Sequence, residues 1–129
     1  MSYRIERRPH WIEVQVWGDV DKAEVMEAVR RLRSMDPHKR ISDLWVVGEG
    51  CVIPLADYAT IVASVRALCP ADMVGSKSAI VVHDQLQKAQ MDIYRREAAS
   101  LPFAIGVFLS KTDAEAWLTG QEVPADAEP

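Results

Sequence analysis

The sequence predicts an α/β fold with a mixed sheet, mostly parallel with an antiparallel N-terminal hairpin, flanked by about four helices in the order ββαβαβαβα. Three observations predict it. Tyr3 to Arg8 and Trp11 to Trp17 each alternate between faces, the signature of paired strands. Beyond them, stretches of helical periodicity alternate with short apolar runs, and right-handed crossovers make such strands parallel. Finally, FAIGVFLSKTDAEAWL, Phe103 to Leu118, passes from a buried strand straight into a helix.

In the hairpin, Ile12, Val14 and Val16 share one face, and Trp11, Glu13, Gln15 and Trp17 share the other. Pro9 and His10 join the strands and do not specify a turn type. Gly18 breaks the second strand. Asp21 is placed to cap the first helix with Glu24 three residues on, and Val20 and Val25 take the positions of a hydrophobic staple. Val25, Val29 and Leu32 form its buried stripe, and Asp36-Pro37 ends it. Ile41 to Val47 is the next strand, opening at Gly48-Glu49-Gly50 into a loop that holds Cys51 and Pro54. Tyr58, Ile61, Val62, Val65 and Leu68 mark the second helix. Ala79 to Val82 is continuously apolar, as in a strand covered on both faces. Asp84 is placed to cap a third helix reaching about Ser100, with Leu86, Ala89 and Ile93 inward and Lys88, Asp92, Arg95 and Arg96 outward. In the closing helix, Thr112 and Glu115 have capping-box spacing, and Ala114, Trp117 and Leu118 share the core face.

A chain of 129 residues that is 49% apolar supports a single core. Residues 1–120 read as one domain, and 121–129 as an acidic tail expected to be disordered. A net charge of −4 argues against a general nucleic-acid surface. No apolar run approaches a membrane span, and MSYRIERRPH has no hydrophobic signal core, so a cytoplasmic location is expected. Cys51 and Cys69 lack CxxC spacing and read as reduced thiols, with no metal and no cofactor implied.

VQVWGDVDKAEV, ISDLWVV, KSAIVVHD and GVFLSKTDAEAWL, together spanning about residues 11 to 118, resemble the SpoIIAA-like family. These are small stand-alone domains related in fold to STAS domains and to the lipid-binding CRAL-TRIO domain. The resemblance implies the fold and no reaction. STAS anti-sigma antagonists carry a phosphorylatable Ser between a strand and the next helix. In GEGCVIPLADYATI that turn holds Pro54, Leu55 and Ala56, so the acceptor hydroxyl is missing and a phospho-switch is not expected. The lipid-binding relatives suggest instead an apolar ligand between the sheet and the helix Asp57 to Leu68, gated by the preceding loop.

Sites in open α/β sheets gather at the carboxyl ends of the strands. That rim would hold the candidate ligand-binding residues Asp19, Glu49, Cys51, His83, Asp84 and Ser110. Capping is the competing role for Asp84, and a hydrogen-bonded structural role for His83. Cys51 with His83 is the one pairing that suggests nucleophilic chemistry, and it requires mutual hydrogen-bond reach. Arg30, Arg31, Arg33, His38, Lys39 and Arg40 cluster at the first helix end. Either they stabilise a helix C-terminus, or Arg30, Arg31, Arg33, Lys39 and Arg40 dock an acidic partner. The sequence thus points to a non-enzymatic binding or regulatory domain. The alternative is a carrier of a small apolar or anionic, lipid-like ligand. Its partners would be a protein, a small ligand, or a second copy engaged through Trp11 or Trp17 on the edge hairpin.

Overall fold

The computed structural model describes residues 2–36, 41–51, 54–68 and 76–120. Its ten regular elements include five strands in one sheet: β1 (Ser2–Arg7), β2 (Trp11–Trp17), β3 (Ser42–Val47), β4 (Lys77–Val81) and β5 (Ala104–Phe108). Four of the others are the helices α1 (Lys22–Met35), α2 (Tyr58–Leu68), α3 (Gln85–Glu97) and α4 (Lys111–Leu118), and a 3-10 turn, Leu55–Asp57, leads into α2. The strands lie in sequence order, with β1 antiparallel to β2 and every later pair parallel. The fold is therefore the mixed α/β layout that the sequence predicts. No helix is long and apolar enough to cross a membrane among the described residues.

Stepping one strand at a time in one direction, right-handed crossovers place α1, α2 and α3 on the same face. Val25, Met26 and Val29 of α1 meet Ile61, Val62 and Val65 of α2 there, with Trp45 of β3 and Ile105 of β5 against them. On the opposite face α4 covers Leu44, Ala79, Val81 and Phe108. Trp117 packs on Phe108 at 5.4 Å between ring centroids, which the lack of a side chain at Gly106 permits, since a Cβ there would meet both rings. β4 is accordingly buried on both faces, as its unbroken apolar run requires.

Local signals explain most boundaries. The Asp21 carboxylate accepts from Ala23 N at 2.7 Å and caps α1, and Asp84 accepts from Gln87 N at 2.8 Å and caps α3. Pro9 and His10 form a two-residue loop, closed by Arg8 N donating to Trp11 O at 2.8 Å. Gly48 lies against β2: a Cβ there would sit 2.9 Å from Val16 O.

Two expectations are corrected. Helix α4 is capped by Ser110, whose hydroxyl accepts from Asp113 N at 3.3 Å, and not by Thr112. Ser110 and Asp113 have the same i, i+3 spacing as Thr112 and Glu115, and the chain turns helical immediately after β5, so the earlier cap is used. In α3 the inward face is Gln87, Met91, Tyr94 and Ala98, whereas Leu86 is 66% exposed and Ile93 37%. Both stripes have helical spacing, and Gln87 decides between them because loop carbonyls anchor it inside. The tail 121–129 lies outside the described residues.

Candidate functional site

Between the sheet and α1–α3 lies a cavity of about 110 Å³ that is partly open to the surface. Its walls are mainly Val16 of β2, Val25, Val29 and Leu32 of α1, Trp45 and Val47 of β3, Ile61 and Val65 of α2, Ile80 of β4, and Met91 and Tyr94 of α3. The hydrophobic stripes that predict the helices also line this space. β-branched residues dominate the wall, and their short, stiff side chains do not reach across it.

Polar side chains interrupt the apolar wall at Arg33, Asp43, Ser78, Gln87 and Gln90, and Asp43 with Ser78 forms its most buried polar pair. Asp43, only 4% exposed, stands on β3 and accepts hydrogen bonds from Ser78 Oγ on β4, at 2.5 Å, and from Trp45 Nε1, at 3.1 Å. The strand register makes this possible, because Asp43 and Ser78 are direct neighbours across the β3–β4 pair. Asp43 and Trp45 are two residues apart and so share a face. A buried carboxylate is tolerated because donors surround it.

At the carboxyl rim, Gln87 organises the loops. Its amide nitrogen donates to Gly48 O at 2.9 Å and Cys51 O at 3.0 Å, and its oxygen accepts from His83 N at 2.7 Å. This one buried side chain joins the β3–α2 loop to the end of β4. Of the candidates from the sequence, Asp19, Glu49, His83 and Asp84 are exposed on the rim, Ser110 is half-buried, and Cys51 is buried. Asp84 and Ser110 use their side chains as helix caps. The Cys51 thiol, which also borders the cavity, donates to Gly18 O at 2.8 Å. Burial pushes it above the ordinary thiol range, a trend that the nearby Asp19 charge reinforces against the opposing bond to Gly48. A nucleophilic thiolate needs the reverse. Cys69 lies outside the described residues.

The basic cluster divides. Arg30 and Arg31 are exposed, and Arg31 stacks over Tyr3 at 5.5 Å while donating to its hydroxyl at 3.2 Å. Arg33 turns inward, donating to Leu68 O and Asp36 O at 3.1 Å each, and so ties the end of α1 to the end of α2. His38, Lys39 and Arg40 lie outside the described residues. No group of three or more His, Cys, Asp or Glu side chains that could hold a metal ion occurs among the described residues.

Sequence reasoning missed Asp43, Ser78, Gln87 and Glu13. Asp84-x-x-Gln87 has capping-box spacing, a signal that was available for Gln87. Glu13 lies on the polar face of β2, yet is only 2% exposed. Lys111 Nζ donates to it at 3.2 Å, Gln15 Nε2 at 3.2 Å and Trp11 Nε1 at 3.4 Å, with Arg8 at 3.6 Å. Burial opposes its ionisation, but the bonds from Lys111 and Trp11 and the charges of Lys111 and Arg8 outweigh that, holding its pKa below the ordinary 4.5. The native state therefore binds fewer protons at this group than the unfolded chain does. Its contribution to stability is complete above 4.5 and is lost as pH falls through the depressed value. Acid denaturation monitored by circular dichroism should show a weaker decline below pH 4.5 for Glu13→Gln than for the wild type.

No protein-family model, curated protein or solved structure matches this chain significantly.

Proposed function

We propose that the chain is a non-enzymatic binding or regulatory domain of the SpoIIAA-like, STAS-like type whose ligand is a small, largely apolar molecule held between the sheet and α1–α3. The cavity of about 110 Å³ carries this reading. Fully enclosed, a space of that size would cost on the order of 2–3 kcal/mol of packing, at roughly 24 cal/mol per Å³, and because this one is partly open its cost is smaller. A ligand that fills it recovers part of that cost. The volume is somewhat below the roughly 150 Å³ of an apolar cavity that accepts benzene, so the ligand is small and a phospholipid does not fit without helix movement. Asp43, Ser78 and the Trp45 indole form one polar spot on the sheet side of the wall, and Arg33, Gln87 and Gln90 border the space elsewhere, so a mainly apolar ligand with a polar group would be oriented there.

Other features agree. The segment before α2 lacks the phosphorylatable Ser of anti-sigma antagonists, which removes that route to a switch. Part of the proposed gate, residues 52–53, lies outside the described residues. A docking role for the basic helix end has less support, because Arg33 is spent on backbone carbonyls.

Small apolar probes such as benzene, toluene or short-chain alcohols should raise the melting temperature, by the equivalent of about 2.7 kcal/mol at a hundredfold excess over Kd. Val65→Phe, whose ring enters the cavity from α2, should melt no lower than the wild type and lose that response. If no probe shifts the melting of the wild type, the reading fails.

A further inference from the structure

We propose that the chain forms a two-fold dimer by antiparallel pairing of its β1 edges about Ile5, giving one sheet continuous across two copies. The inference is independent of the ligand reading. β1 lies at the end of the strand order, and among the described residues no strand pairs with its outer side. The bond from Arg8 N to Trp11 O fixes the hydrogen-bonding phase of the hairpin. Counting back by the alternation of antiparallel ladders, Glu6 and Arg4 turn their backbone groups toward β2, and Arg7, Ile5 and Tyr3 turn theirs to the open edge.

A second copy docked about Ile5 would therefore exchange backbone bonds at Ile5 with Ile5, at Tyr3 with Arg7 and at Arg7 with Tyr3. The side chains match in the same register. On one face Arg4 of each copy opposes Glu6 of the other, and on the other face Tyr3 and Arg7 stay engaged within their own chain, with Arg31 over the Tyr3 ring and Arg7 donating to Met35 O at 2.7 Å. Shifting the register by two residues in one direction sets Arg4 against Arg4. A shift in the other direction sets Glu6 against Glu6 and Arg4 against Arg8. Charges on an edge strand usually discourage pairing. Here their alternation of sign penalises the shifted arrangements and favours the symmetric one, as an isologous interface requires. Arg4 is available for this role: its side chain is 64% exposed, and within its own chain it meets only the flanking Glu6 among the described ion pairs.

The test is sedimentation equilibrium on wild type, Arg4→Glu, Glu6→Arg, their equimolar mixture, and the double variant Arg4→Glu/Glu6→Arg. The wild type should dimerise. Each single variant places like charges opposite each other twice and should weaken dimerisation by about tenfold or more. Mixing the two single variants should restore a dimer as a heterodimer, and the double variant should restore it within one chain. A monomeric wild type at the highest soluble concentration would overturn the proposal. So would single variants that dimerise as tightly as the wild type, or a mixture and a double variant that both stay as weak as the singles.

Discussion

Gln87→Leu is expected to destabilise the protein by about 2 kcal/mol or more, although it replaces a polar side chain in the interior with an apolar one of similar size. The reason is what it leaves behind. Cys51 O would lose its donor and His83 N its acceptor, while Gly48 O keeps the bond from Cys51 N at 3.2 Å, and an unsatisfied buried group costs about 1–3 kcal/mol. Water reaching the exposed His83 end recovers some of this, and the deeper Cys51 carbonyl recovers least. Gln87→Glu separates the bonds: its oxygens still accept from His83 N but cannot donate to the two carbonyls. Chemical denaturation should therefore rank stability as wild type, then Gln87→Glu, then Gln87→Leu. A Gln87→Leu protein as stable as the wild type would show that the loop does not depend on this clip.

Trp45→Ala should cost about 3 kcal/mol, the lower end of the range for truncating a large aromatic in a core, because Trp45 is half-buried. Trp45 packs against α1 residues, against Cys51's cluster and against the β4–α3 cluster, so no single neighbour can collapse into the space. The loss also removes the Nε1 donor from Asp43. Added indole should restore part of the stability, because it replaces both the ring and the N–H in a cavity now enlarged beyond about 110 Å³. Naphthalene, similar in shape and without a donor, should restore less. Equal rescue by both would show that the bond to Asp43 contributes little.

Much of this architecture is legible in the chain because binary patterning and caps state it locally. The hairpin alternation, the Asp21 and Asp84 caps and the α2 stripe from Tyr58 to Leu68 each need only a few neighbouring residues to be read. α3 is where that logic gives the wrong face. Leu86, Ala89 and Ile93 are as periodic as Met91, Tyr94 and Ala98, and the choice depends on Gln87 meeting the carbonyls of Gly48 and Cys51, 39 and 36 residues away in sequence. The site is less legible still. A cavity is a space that side chains fail to fill, and no residue type announces it. Asp43 and Ser78 become partners through strand register 35 residues apart, and Glu13 is bonded by Lys111, 98 residues away. The rim residues are visible in the sequence because they carry familiar chemistry, yet Asp84 and Ser110 use it for helix capping.

Whether the cavity beneath α1–α3 holds a small ligand can be read most directly from native mass spectrometry of freshly purified protein. A reproducible added mass is expected on the wild type, or on wild type incubated with benzene-sized apolar molecules, that is lost on denaturation and absent from Val65→Phe. Wild type that stays bare under both conditions, or an added mass that Val65→Phe retains in full, would contradict it.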